Sequence, residues 1–385
     1  MSSTTTYSSI FHPYLSPSLS ALLAHLPPST HLDTLSRTPP SRLQRTALPN
    51  IGLIELVSAT DFSALYHPLY THSFPRVTER ERSDLIVERL AAQAEGERKG
   101  LAPYRIVGIR DHQGEAIGAA QFSVLPVPPR TGTKSTIGNG ANNGDSVTND
   151  SDDDSLGKGS KYAVPYLQYI YVRRQNRRQD MSEVLHTMVL AVAAADAALM
   201  DAEDRDLSST SPGAVPPVSR SVPFTLFETE PPDHGDDHDS RAYALERSKI
   251  HTSTGGMALV LRRPRGRSSA SGRDDHHHHH HQKEEDEVLS AHVQPGLEPL
   301  DPPLTLVWII RPAPTATPGQ DYDLTSLGKA LVAAYYQSLR DEGFPEANIA
   351  LAERMVEQRC KGSIFQLMPL GDVRDFGADN REFRD

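Results

Sequence analysis

The chain has 385 residues, 37 % of them hydrophobic, a single cysteine (Cys360) and a formal net charge of −11. One thiol excludes an intrachain disulfide and a multi-cysteine metal site, and the acidic balance argues against a general nucleic-acid binder. No basic stretch precedes an apolar one at the N-terminus, and the longest apolar run, Met188–Met200, is interrupted by Asp196. The sequence therefore offers no secretory signal and no membrane span, and we read the protein as cytoplasmic, with a nuclear or mitochondrial location left open.

Low-complexity segments divide the chain. Residues 1–50 are rich in Ser, Pro and Thr and read as a disordered tail, with Ser16-Pro17 and Thr38-Pro39 as possible phosphorylation dipeptides. Three further stretches, about 129–161, 204–220 and 264–290, read as insertions that bury too little apolar surface to offset their ordering entropy. The last contains His276–His281, which we read as adventitious metal binding in a flexible segment rather than a built site. Residues 371–385 read as a polar tail, so 51–370 hold one folded domain.

The remaining elements follow in order. Leu53–Leu56 is a short strand, and Ser58–Thr60 cap a helix carrying Phe62, Leu65 and Leu69, kinked or ended by Pro68. Glu79–Ala94 reads as a charged amphipathic helix. Tyr104–Arg110 and Ala116–Leu125 are strands joined by Asp111-His112-Gln113-Gly114, a hairpin signal. Tyr166–Val172 is an aromatic and β-branched strand. A basic turn, Arg173-Arg174-Gln175-Asn176-Arg177-Arg178-Gln179, leads into a helix over Met181–Asp201 with Val184, Leu185, Met188, Val192, Ala195 and Leu199 on one face. Then come a strand at Val222–Glu230, a helix at Ala242–Thr252 closed by Gly255-Gly256, and strands at Met257–Arg262 and Leu304–Ile310. Helices at Leu324–Leu339 and Pro345–Cys360 and an edge strand at Ile364–Met368 complete the series.

The strand–turn–helix at 166–185 is the segment that points to chemistry. A helix N-terminus fed from a strand end aims several unpaired N–H groups at one spot, which suits an anion, and the four arginines raise the local positive potential. Asp180 complicates this. With Glu183 three residues on it forms a D-x-x-E pattern, which predicts a capping box whose carboxylate takes the same amides. An ionised carboxylate about 6 Å from a phosphate charge costs on the order of 2–3 kcal/mol at an effective dielectric near 20.

This order of elements resembles the GNAT acyltransferase superfamily over roughly Leu53–Ile310. The family's V-x-P-x-x-R-G-x-G-x-G/A turn is matched by Val172, Arg177 and the small Ser182, while Arg174 replaces the proline, Arg178 the first glycine and Asp180 the central one. Leu226-Phe227-Glu228-Thr229-Glu230-Pro231 is similar to an L-E-x-E-x-P strand end, and Arg247-Ser248-Lys249-Ile250-His251 followed by Gly255 to an R-x-x-F-Y-x-x-x-G-F helix, of bacterial members.

The resemblance implies a GNAT-like α/β fold, a mixed, mostly antiparallel sheet flanked by helices. It implies acetyl-CoA or another acyl-CoA as co-substrate, no metal, and direct transfer to an amine-bearing small molecule or peptide. Arg177, Arg178, Gln179, Asp180, Met181 and Ser182 would meet the pyrophosphate, and Ile170, Tyr171 and Val172 the pantetheine arm. Glu228 and Glu230, spaced i, i+2 and so expected on one strand face, are candidates for base and amine anchor, and His251 for proton donor to the thiolate. The alternative is a catalytically inactive GNAT-like binding or scaffold protein whose cofactor loop is blocked by Asp180. Nucleic acid and membrane are not expected as partners, and oligomeric state is not readable from the sequence.

Overall fold

The structure, a computed structural model, describes residues 9–76, 80–128, 160–208, 218–235, 237–264, 286–304, 306–374 and 376. The histidine run at 276–281 and most of the three expected insertions lie outside them.

Helices α1 (Pro17–Leu23) and α2 (Pro40–Thr46) precede strand β1 (Leu53–Leu56). The expectation of a disordered tail is therefore corrected for residues 9–50. Phe11, Leu19, Leu43 and Ile51 are completely buried in the core. Ser16 caps α1, its Oγ accepting from the Leu19 amide at 3.2 Å, with Pro17 at the first turn. What reads as a disorder-prone Ser-Pro dipeptide is a helix start, and the leucines behind it pack against the sheet.

Next come α3 (Ala59–Asp61), a π-helical turn at Phe62–Tyr66, α4 (His67–Ser73) and α5 (Ser83–Glu95). Pro68 does not end the helix here; the widened turn before it absorbs the missing proline N–H. Strands β2 (Tyr104–Arg110) and β3 (Ala116–Val127) form the hairpin, followed by β4 (Tyr162–Val172), α6 (Met181–Ser208), β5 (Phe224–Thr229), α7 (His238–Ser253) and β6 (Met257–Arg263). Then follow β7 (Glu287–Ser290), β8 (Val307–Pro312), α8 (Leu324–Asp341), α9 (Glu346–Cys360) and β9 (Ile364–Met368). Strand β7 falls at the end of a stretch expected to be an insertion, and α6 runs past the expected boundary at 204, with Lys161 and Arg220 both pairing Asp204.

Among the described residues the sheet has nine strands in the order β1-β2-β3-β4-β5-β8-β6-β7, with β9 at the far edge beside β6. Among the strand pairs of the described residues, only β4–β5 is parallel. This is a GNAT-like mixed, mostly antiparallel α/β fold. Helix α6 and the N-terminal segment cover one face through Val184, Leu185, Met188, Val192 and Ala195. Helices α8 and α9 cover the other beside β5, β6 and β8, and α3 to α5 cover it beside β2 to β4. By length and composition Met181–Asp206 could cross a bilayer, but 78 % of its most apolar window is buried inside the protein. Its apolarity is that of a core helix, with Asp196 paired to Arg105 of β2 at 2.7 Å.

Candidate active site

The parallel pair β4–β5 sets Tyr166 opposite Leu226 and Leu167 opposite Phe227, following a parallel bridge from Tyr162 to Ser221 just before β5, and after Leu167 the strands part. At that vertex β4 carries an irregularity. Gln121 of β3 faces Tyr169 and Phe122 faces Leu167, so Gln168 is the extra residue of a bulge. Its Nε2 donates to Glu342 at 2.7 Å. The bulge puts Tyr169 and Tyr171 on the α5 side, and Ile170 and Val172 toward α6.

Beyond Val172 the chain turns through a short 3-10 segment, Arg174–Asn176, before entering α6. Arg173 ties the turn down through Asp111 at 2.9 Å and Asn176 at 2.9 Å. Arg177 Nε donates to the Val172 carbonyl at 3.1 Å, so that carbonyl already has a partner. Arg178 and Asp180, standing where the family turn has glycines, both take left-handed backbone conformations, φ 63° and 56°. Such conformations cost a non-glycine residue on the order of 1 kcal/mol or more each. The turn shape is retained without the residues that adopt it freely.

The expected capping box is absent. The Glu183 and Val184 amides donate to the main-chain oxygen of Asp180, at 3.1 and 3.2 Å. The Asp180 carboxylate instead accepts from Arg42 Nε at 2.9 Å, Arg42 Nη2 at 2.8 Å and Thr46 Oγ1 at 2.8 Å. Burial acts to raise its pKa, but the Arg42 and Thr46 donors outweigh that and hold the carboxyl below its usual range. The left-handed backbone swings the side chain out of the turn, and α2 supplies the donors that keep it there. Glu183 is likewise taken elsewhere, accepting from the Arg37 amide at 2.6 Å and pairing with Arg311. Among the hydrogen bonds of the described residues, the amides of Arg178, Gln179, Asp180, Met181 and Ser182 have no acceptor. Arg177, Arg178 and Ser182 are exposed beside them, while Met181 is buried in the core.

The three side chains expected to do chemistry are not brought together. Strand β5 stops at Thr229, so the two-residue alternation does not carry through and Glu230 turns to pair with Arg247 of α7. The expectation that Glu228 and Glu230 share a face is corrected on that ground. Glu228 is the first β5 residue past the vertex, on the face opposite α6. Its Oε1 lies 2.8 Å from His292 Nε2 and accepts from Trp308 Nε1 at 3.3 Å. Burial would raise its pKa; His292 together with Tyr335 and Tyr166 reverses the sign and holds the carboxyl below the usual range. His251 sits in the last turn of α7 against Phe227, ring centroids 4.9 Å apart. Burial first, then Arg247 and Arg311, push its pKa down to about 4. At neutral pH it holds no spare proton, which removes it as a donor to a leaving thiolate.

His292, Trp308 and Tyr335, which surround Glu228, carry no spacing signal. Only an isolated histidine between Ala291 and Val293 hints that a polar ring is buried there.

No family model and no curated protein matches the chain. Solved structures similar to it include a fungal multi-domain GH3 β-N-acetylglucosaminidase described as having a unique GCN5-related glucosamine N-acetyltransferase region (13 % identity, TM-score 0.28). That match covers 55 % of this chain but only 18 % of the other. A second is the histone acetyltransferase HPA2 and related acetyltransferase from Corynebacterium glutamicum, at 11 % identity and TM-score 0.25, over 69 % of this chain and 97 % of that one. At these TM-scores neither likeness bears on the chemistry of this chain.

Proposed function

We propose that the protein is an acyl-CoA-dependent N-acyltransferase that moves an acetyl or related acyl group to an amine by direct attack in a ternary complex. The observation that carries this reading is the outward turn of Asp180 onto Arg42 and Thr46. It leaves the amides of residues 178–182 for an anion at the mouth of α6, among exposed arginines. Acyl-CoA supplies the activated thioester. The chain supplies the amide cradle, a diverging strand pair for the pantetheine arm, and Glu228 at the vertex to take the acceptor's proton. A released CoA thiolate, with an ordinary thiol pKa near 8.5, regains its proton from the acceptor or from water at neutral pH, so His251 is not needed.

A second reading, a GNAT-like binding protein without activity, is favoured by one feature. Arg37 spans from Glu183 in the first turn of α6 to the Pro312 carbonyl at 2.6 Å and lies against Gly255 at the end of α7. Tied in this way it stands beside the first turn of α6, where it would compete for space with the phosphates of a cofactor. Calorimetry with acetyl-CoA, followed by an assay of free-thiol release against a panel of amines, separates the two. Saturable binding with amine-dependent release supports the enzyme, and absence of binding at high micromolar acetyl-CoA overturns it.

A further inference from the structure

We infer that His292 is the positioning residue of the carboxylate that deprotonates the acceptor amine, and that it acts through Oε1 of Glu228. The inference rests on the acyltransferase reading. Three relationships carry it. Nε2 of His292 lies 2.8 Å from Oε1, off the ideal hydrogen-bond line, so its pull on the carboxylate is electrostatic before it is directional. The imidazole is completely buried and stacked on Trp308, centroids 4.5 Å apart at 10°, with the edge of Tyr335 across it at 5.7 Å. Its main chain is pinned as well, the carbonyl accepting from Ser290 Oγ at 2.8 Å and Arg359 Nη1 at 3.3 Å. A ring held this firmly cannot follow the carboxylate, so the carboxylate is held by it.

Neither ring nitrogen makes a hydrogen bond of good geometry among the described residues, and Nε2 is the one that lies beside the carboxylate. A neutral imidazole with one nitrogen beside a carboxylate and the other without an acceptor keeps its proton on the first. Nε2–H and Trp308 Nε1–H then both act on Oε1, and Oε2 lies outside both contacts. One-tenth of the Glu228 side chain remains accessible. The group is also faced by Tyr166 of β4, Tyr335 and Tyr336 of α8, Arg359 of α9 and Glu342 just beyond α8.

The step balances simply. An ammonium acceptor gives one proton to Oε2. Its nitrogen lone pair then bonds to the thioester carbon, the C–S bond breaks with its electron pair on sulfur, and the second N–H proton passes to the thiolate. Products are the amide and the free thiol.

The test uses the full chain and the variants His292→Leu and His292→Gln, the latter keeping an amide donor near the Nε2 position. Glu228 is followed by carboxyl-carbon NMR titration, and kcat/KM by pH. In His292→Leu the Glu228 midpoint and the acidic limb of kcat/KM both move up by about one pH unit, and kcat falls roughly tenfold or more. KM for acetyl-CoA stays within about twofold, and His292→Gln restores most of the rate. Unchanged midpoint and limb in a variant that still binds acetyl-CoA overturn the role of His292 alone. Failure of the wild type to bind acetyl-CoA overturns the acyltransferase reading, and this role with it. If His292→Leu does not fold, imidazole nitrogen shifts of the wild type decide: a proton on Nε2 is expected, and a proton on Nδ1 overturns the assignment.

Discussion

Asp180 and Arg42 form a forked ion pair, Oδ1 to Nη2 at 2.8 Å and Oδ2 to Nε at 2.9 Å, that joins the mouth of α6 to a helix 138 positions earlier in the chain. The fork matters because of where it leaves the carboxylate. Released from Arg42, Asp180 sits one bond rotation from amides that attract any nearby anion. Arg42→Ala should therefore weaken acetyl-CoA binding about tenfold, and Arg42→Ala with Asp180→Gly should recover it, because no carboxylate then remains to compete. Isothermal titration of the three proteins checks this. An Arg42→Ala protein that binds as tightly as wild type would mean that the fork is only a surface pair of the usual small value.

How much of this was legible follows from how far each cause lies along the chain. The hairpin turn at Asp111–Gly114 and the strand–turn–helix at 166–185 are set by neighbours, and the pattern read them. The orientation of Asp180 is set by Arg42 and Thr46, and the state of Glu228 by His292 and Trp308, partners that only tertiary folding supplies. Local logic gave a capping box at Asp180 because an aspartate before a helix with a glutamate three residues on normally forms one. It gave a disordered tail because Ser and Pro dominate residues 1–50, whereas the buried leucines among them outweigh that composition once the sheet is there to receive them.

Acid should destabilise the fold between pH 6.5 and 4. His251, half-buried, and His186, buried, are both held in neutral form. Burial, then Arg247 and Arg311, lowers the first to about 4, and burial, then Arg311 and Arg37, lowers the second well below its usual value. In this window the unfolded chain binds more protons than the native one, so stability is full above 6.5 and is lost as pH falls toward the folded pKa. For His251 alone the loss from pH 7 to pH 5 is about 2 kcal/mol. Urea midpoints at the two pH values should separate accordingly, and His251→Gln should reduce the separation. A His251→Gln protein with an unchanged pH dependence would show that this histidine is free to protonate in the native state.

Arg89 of α5 lies between two buried carboxylates, Glu81 and Glu342. It donates to Glu81 Oε2 at 3.1 Å, lies 3.7 Å from Glu342 Oε2, and covers the Tyr104 ring at 4.6 Å. Glu342 in turn accepts from Ser123 Oγ at 2.6 Å and from Gln168, the bulge residue at the vertex. Removing the cation leaves Glu81 buried without its charge partner and Glu342 with only its neutral hydrogen-bond donors close by, so Arg89→Met should cost about 3–5 kcal/mol. The triple change Arg89→Met, Glu81→Gln, Glu342→Gln should be closer to wild type than the single one, because it removes the charges that were stranded. Chemical denaturation of both proteins checks the order. A single variant as stable as wild type would mean that water reaches the cluster.

The N-terminal segment is a structural part of the domain, and Phe11 tests that most directly. Its ring is completely buried in the cluster that includes Leu19, Leu43, Ile54 and α6. It lies 31 positions before Arg42, yet both belong to the same segment packed beside α6. Phe11→Ala removes a large side chain from a site closed on all sides and should cost about 3–5 kcal/mol. A disordered tail would give no change. Because the packing of this segment also places Arg42 and Thr46 on Asp180, the same substitution should loosen acetyl-CoA binding at temperatures well below the melting transition. Thermal unfolding gives the first effect and calorimetry at 10 °C the second. Loss of stability with intact binding would mean that α2 keeps its place through Leu43 and Leu48 alone, without support from the turn around Phe11.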